Sequence, residues 1–376
     1  MKIAFHAGVL DEVQSGPEIF VTQLLRHLVS LRPHDEFLSV MASTREHQLH
    51  AQSAARIHPN IRAKTIRFPR EWWHELQEFS LPPLRLAIGD YDVFHQMWAT
   101  RSAAVPSRKL VVSMYDTAAL HWAQEDSLDI AKTRRLLARA AAILTLSQHS
   151  KSQIVQEFGV EPERVHVTLA GCDFTRYNIE YTNDQIAATL AQLNITTPYF
   201  FYLGGTAPRK NLKRVVEAFC DAKQQNNLPH KLVLAGTMNH VDDDLKRALA
   251  QAGDDVQVLG YVNNEIVPHL YRGATALLFV SLFEGFGLPV VEAMACGAPV
   301  ITSNVTSLPE VAGDAAILVD PNDANAIANA IAQIANEDES ARQSRIARGL
   351  IWAQKFSWQK CAQIHSDVYD AVAKRN

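Results

Sequence analysis

No stretch of this 376-residue chain approaches the roughly 20 consecutive apolar residues that a membrane-spanning helix needs. The apolar run at the start, Ile3 to Leu10, contains His6 and is too short for a secretory signal, so it reads as a first strand. Cysteine is scarce. Cys172, Cys220, Cys296 and Cys361 stand far apart with no C-x-x-C pair, which excludes a disulfide framework or zinc site and fits a reducing cytoplasm. Neither sign of charge dominates: 36 basic against 40 acidic residues leave −4, so there is no electrostatic case for a nucleic-acid partner. A G-x-G-x-x-G fingerprint is missing, which argues against a nicotinamide-dependent dehydrogenase. Internal repeats and low-complexity tracts are also missing.

What is present is an ordinary globular composition, 47% hydrophobic and 20% charged, in which short apolar runs alternate with helical patterns. Lys2–Ala7, Phe37–Met41, Val93–His95, Leu110–Met114, Ala142–Leu146 and Val165–Leu169 read as strands of a first half. Tyr199–Leu203, Lys231–Ala235, Val256–Leu259, Ala276–Phe279, Val300–Thr302 and Ala316–Val319 read as strands of a second. Helical spacing marks 20–31, 133–142, 150–158, 211–223, 243–252, 266–273 and 324–336. Eleven of the 15 histidines fall within residues 1–175, and this shift in composition supports a boundary near 175–195, with 180–197 as the link.

The most informative segment is Ser281 to Gly297, S-L-F-E-G-F-G-L-P-V-V-E-A-M-A-C-G. Pro289 suits the first helical turn, where its missing N–H is harmless, and Gly297 suits the position just past the helix end. The N–H groups around Phe286, Gly287 and Leu288 would then face an anion at the positive end of the helix. Glu284 lies in the loop and Glu292 about a turn into the helix. Carboxylates beside an anion repel it, so they are better used to accept hydrogen bonds from hydroxyls. Phosphate with hydroxyls suggests a nucleotide sugar.

This segment, with A-P-V-I-T-S-N-V-T-S-L-P-E-V-A-G-D-A-A-I-L-V-D-P-N-D after it, resembles the signature of retaining glycosyltransferase family 4. The resemblance implies a GT-B fold: two Rossmann-like, doubly wound α/β domains facing across a cleft. The expected domains are 1–180 on the acceptor side and 190–352 on the nucleotide-sugar side. The tail 353–376, resembling the family's closing helix, would complete the first domain. The resemblance further implies that Glu284 lies near the donor sugar and that Glu292 holds the ribose.

Other constellations are read beside it. In L-G-G-T-A-P-R-K-N-L, Gly205 permits close approach of the backbone, and Arg209 and Lys210 would hold a diphosphate. Two cations at a helix N-terminus are unfavourable without an anion. Gly16 is either part of a loop over the donor phosphates or a plain strand-to-helix turn. Tyr115 stands where many family members have His, in S-M-Y-D. It either donates a hydrogen bond to sugar or phosphate or packs at a strand end. Asp116 keeps the family position, as acceptor-orienting group or base. His95 ends another strand at the expected cleft edge, and Ser150 reads as a helix N-cap. Tyr261 and Val262 follow a strand where the family places the nucleobase. Asp242-Asp243-Asp244 contains a D-x-D, read here as a solvated helix start rather than a metal site. Arg62 to Arg85 interleaves Arg62, Lys64, Arg67, Arg70 and Arg85 with Phe68, Trp72, Trp73 and Phe79. That is compatible with an anionic membrane surface, with glycan stacking, or with an ordinary surface helix.

The expected function is metal-independent hexosyl transfer without a cofactor, mannose being favoured, with GDP-mannose ahead of UDP-sugars. The acceptor would be a glycan or lipid-linked saccharide in bacterial O-antigen-type synthesis. The expected place is the cytoplasm, including the inner face of its membrane. A catalytically inactive nucleotide-binding scaffold is the alternative from a different class.

Overall fold

The computed structural model describes residues 1–6, 16–69, 72–73, 84–99, 105–122, 129–239 and 241–374. The chain divides into two compact units, Met1–Gly171 with Trp358–Asn376, and Cys172–Ser357. The division thus falls upstream of the link expected at 180–197.

The first unit holds β1 (Lys2–His6), α1 (Gly16–Leu31), β2 (Glu36–Ala42), α2 (His47–Ile57), β3 (Ile61–Ile66), α3 (Arg85–Ile88) and β4 (Val93–Gln96). It continues through β5 (Leu110–Ser113), α4 (Ala118–His121), α5 (Ile130–Arg139), β6 (Ala142–Thr145), α6 (Gln148–Phe158) and β7 (Val165–Val167). The strands are parallel in the order β3-β2-β1-β4-β5-β6-β7. Winding goes outward from β1 to one edge, then returns to β4 and runs to the other, which is the doubly wound pattern. Val93, Val111 and Ile143 are fully buried in the middle strands, as expected of parallel strands covered on both faces.

The second unit starts with α7 (Asn183–Gln192) and β8 (Tyr199–Leu203), then α8 (Leu212–Asn226), β9 (Lys231–Ala235), α9 (Asp243–Ala252), β10 (Val256–Gly260), α10 (Val267–Gly273) and β11 (Ala276–Phe279). It ends with α11 (Leu288–Ala295), β12 (Val300–Ser303), α12 (Leu308–Ala312), β13 (Ile317–Val319), α13 (Ala324–Ala335) and α14 (Glu339–Ala353). Its parallel order is β10-β9-β8-β11-β12-β13. One core places Phe200, Tyr202, Leu232 and Leu278 with Val215, Phe219 and Ile331 of α8 and α13. Burying side chains of this size contributes about 1.5–3 kcal/mol each.

The last helix, α15 (Trp358–Lys374), returns to the first unit and packs along α1. Arg32 joins it through an ion pair to Asp370 (2.8 Å) and a hydrogen bond to the Ser366 hydroxyl (2.6 Å). Tyr369, fully buried, hydrogen-bonds His95 Nδ1 at 2.6 Å, and His95 Nε2 meets the Ser113 hydroxyl at 2.8 Å. His95 has no exposed surface, so it is a buried bracket for this helix rather than a residue at a cleft edge.

Three local expectations are corrected. Part of the presumed link is α7, opened by a capping box in which Thr182 accepts from Gln185 N–H and the Gln185 side chain answers. Strand β3 was not expected, because I-R-A-K-T-I is charged and lies at the sheet edge, where such charges discourage pairing with another sheet. The cap of α6 is Ser147, whose hydroxyl accepts from Ser150 N–H; Ser150 lies inside the helix.

Candidate functional site

In an open doubly wound sheet, ligands bind beyond the carboxyl ends of the strands where the order reverses. In the second unit that point lies between β8 and β11. The two segments leaving these strands carry Arg209, Lys210 and Glu284, and the structure brings all three side chains together. Lys210 Nζ lies 2.7 Å from Glu284 Oε1, and Arg209 donates to Oε2 at 3.3 Å. Lys210 also sits over the Phe279 ring, 5.3 Å from its centroid. The two cations outnumber the carboxylate, so the cluster is net positive.

Its geometry is fixed by the backbone around it. Leu282 N–H donates to the Arg209 carbonyl at 2.7 Å, which joins the two segments directly. Asn211 takes a left-handed conformation (φ 59°), and its amide donates to the Val280 and Pro321 carbonyls at 3.0 and 2.7 Å. Behind Glu284, the Ser307 hydroxyl hydrogen-bonds the carbonyls of Glu284 and Phe286 at 2.8 and 2.9 Å. The Thr306 hydroxyl accepts from Glu284 N–H at 3.3 Å. Burial pushes the Glu284 carboxyl up, but Lys210 and Arg209 more than offset it, and the acid stays below its ordinary value.

Gly287 opens α11 at φ 108°, and a Cβ there would fall 2.7 Å from Leu308 Cδ2. Only glycine makes this entry without strain. Leu288 is the first helical residue, Pro289 lies in the first turn, and the Phe286 ring packs inward against Phe356. Gly205 lies at the same edge, its carbonyl bound by the Tyr202 hydroxyl at 2.7 Å. Tyr261 is half exposed just after β10, whereas Val262 is buried.

Glu292 is held differently. It is buried in α11, and the Tyr271 hydroxyl of α10 donates to its Oε2 at 3.2 Å. Burial, opposed by the Tyr271 hydrogen bond and the nearby Tyr177 phenol, pushes its carboxyl up to about 7.

The first-unit candidates have separate surroundings. Gly16 is the first residue of α1, and Ser15 lies outside the described residues. The Asp116 carboxylate accepts from Ala118 N–H at 2.9 Å and shapes the turn into α4. Of the two readings of Tyr115, the ring contacts fit packing at a strand end. Its ring packs edge-on against Phe20 and Trp98, and its hydroxyl is buried, which raises it well above an ordinary phenol. Asp242 caps α9 by accepting from Leu245 N–H at 2.8 Å, as expected of a helix start. In the basic and aromatic stretch, Trp73 is buried against Phe68, Trp72 is exposed, and Arg70 and Phe79 lie outside the described residues. Sequence reasoning did not single out Thr306, Ser307, Tyr177 or Tyr271. The first two lie inside a segment quoted only for its likeness, and the tyrosines carry no local motif.

Residues 14–176 match the family described as Glycosyltransferase Family 4, and residues 188–349 match Glycosyl transferases group 1. The O-antigen chain mannosyltransferase B of Escherichia coli is 32% identical over 329 residues, 86% of this chain and 80% of that protein. The chain belongs to the family 4 glycosyltransferases. Among solved structures, the sucrose-phosphate synthase of Thermosynechococcus elongatus superposes with a TM-score of 0.76 at 21% identity, over all of both chains. Anabaena HepE, in complex with UDP and glucose, also gives 0.76, at 18% identity over 99% of this chain and all of that one. The fold of this glycosyltransferase is accordingly GT-B. No helix of the described residues is long and apolar enough to cross a membrane.

Proposed function

We propose that this glycosyltransferase moves a hexose, mannose in the first instance, from a nucleotide diphosphate sugar to a hydroxyl of a glycan or lipid-linked saccharide, with retention at the anomeric carbon. The pathway class is bacterial O-antigen-type polysaccharide synthesis at the inner face of the membrane. The observation that carries the reading is the Arg209–Lys210–Glu284 cluster at the switch point of the second sheet. Its net positive charge suits a diphosphate, and the start of α11 adds oriented N–H groups at Gly287 and Leu288. Mannose is supported by likeness to the E. coli O-antigen mannosyltransferase; HepE with UDP and glucose is the reason to test UDP beside GDP.

In this reading Arg209 and Lys210 stabilise the charge that grows on the leaving diphosphate, which is the main electrostatic task and needs no metal. Glu284 exchanges part of its contact with the two cations for the donor sugar's hydroxyls. Glu292 takes the ribose, and the backbone at Tyr261 and Val262 takes the base. The anomeric carbon–phosphate oxygen bond breaks as the acceptor oxygen bonds the same face. The acceptor's proton passes to the departing phosphate oxygen, so no protein nucleophile is required. Asp116 would orient the acceptor.

The test is turnover of GDP-mannose and UDP-glucose with Arg209→Ala. The variant should fold and lose turnover by ~10²-fold or more, the loss typical of one oriented transition-state donor. Near-normal turnover would sink the assignment. An inactive scaffold would bind nucleotide but show neither transfer nor donor hydrolysis in the unmodified protein.

A further inference from the structure

The two glutamates of the signature are held by opposite means. Glu284 is held by cations, Glu292 by phenols. Tyr271 has no exposed surface and donates to Glu292 Oε2 at 3.2 Å. Tyr177, from the stretch before α7, is buried with its ring centroid 6.2 Å from that of Tyr271, and its phenol works with Tyr271 to hold the Glu292 carboxyl below the value that burial alone would give. Phenylalanine would fill both places as well, so packing alone does not call for the hydroxyls. A carboxylate offers about four acceptor sites, and the phenols leave some of them for a ligand.

We propose that Tyr271 and Tyr177 are positioning residues that hold the Glu292 carboxylate oriented to accept from the hydroxyls of the donor's ribose. This rests on the reading above that Glu292 meets the ribose. The surroundings make the same interaction sensitive to pH. Tyr271 faces the carboxyl from α10, Tyr177, Arg176, Asp173 and Cys172 from the stretch before α7, and Cys296 from the end of α11. Burial raises the carboxyl to about 7, while the two phenols and Arg176 pull it back. Ribose hydroxyls donate to the ionised form, so nucleotide binding strengthens as pH rises through about 7. Removing a phenol moves that midpoint upward.

The experiment is calorimetric titration with GDP, UDP and their 2′,3′-dideoxy analogues, from about pH 5.5 to 8.5, of the unmodified protein, Tyr271→Phe, Tyr177→Phe and Glu292→Gln. Loss of one charged hydrogen bond predicts roughly tenfold weaker nucleotide binding near neutral pH in Tyr271→Phe. The pH midpoint should rise, and the donor KM should rise by more than kcat falls. Dideoxy analogues should bind the unmodified protein and Tyr271→Phe equally. Tyr177→Phe is the independent variant, should Tyr271→Phe fold poorly. If both phenylalanine variants keep affinity and midpoint while Glu292→Gln loses affinity, the positioning proposal is overturned and the ribose reading stands. If Glu292→Gln has no effect, or neither nucleotide binds the unmodified protein, the underlying reading falls and takes the proposal with it.

Discussion

Two glycines separate what the backbone requires from what a ligand requires. Gly287 sits at φ 108° with Leu308 in the space of a Cβ, whereas among the described residues nothing lies within 4 Å of the Gly16 Cβ position. Gly287→Ala should therefore cost about 1–3 kcal/mol in urea unfolding. Gly16→Ala should leave stability within about 0.5 kcal/mol. Any loss of turnover in Gly16→Ala would then report contact with the donor rather than damage to the fold. The paired glutamates also predict opposite pH behaviour. Glu284 lies below its unfolded value, so its contribution is present above about 4.5 and is lost as pH falls through the lower, folded value. Glu292 is raised, so the stability it lends is full while the carboxyl is protonated and declines as pH rises from about 4.5 to about 7. Glu292→Gln should flatten that decline in melting temperature measured over the same range. An unchanged slope would mean that another group carries it.

Elements were legible in proportion to how far local chemistry governed them. The central strands were found because parallel strands buried on both faces read as uninterrupted apolar runs. Glu284, Arg209 and Lys210 stand out in the sequence because glycine and charge are concentrated in two short spans, and the fold brings their side chains together. β3 escaped because its charges answer to its place at the edge, and α7 because its capping sequence T-N-D-Q looks like a linker. The surroundings of His95 and Tyr115 were not legible for one reason: each lies at a strand end, but α15, distant in sequence, comes back to bury His95, and Phe20 of α1 packs on Tyr115. The exchange of caps at α6 gives a direct test. Ser147→Ala should destabilise the first unit by about 1 kcal/mol in chemical denaturation, with Ser150→Ala costing less.

At the scale of the whole molecule, the first unit is discontinuous in sequence and the second is not. A chain ending at Ser357 loses the Arg32–Asp370 pair and the Tyr369–His95 hydrogen bond, and it leaves His95 and Phe20 facing solvent. Such a truncation should abolish cooperative unfolding of residues 1–171, seen as rapid limited proteolysis within them. The fragment 172–357 should keep a single cooperative transition. Survival of residues 1–171 under protease would show that α15 is dispensable.

The return of α15 also orders events in time. During synthesis Gly171 leaves the ribosome about 190 residues before the helix that closes its unit, a wait of roughly 10–40 s at ordinary elongation rates. The second unit can mature within that wait, while the first stays open along α1. If α15 is indispensable, the second unit is complete before the first, and residues 1–171 stay open to chaperones and proteases until Trp358–Lys374 emerges.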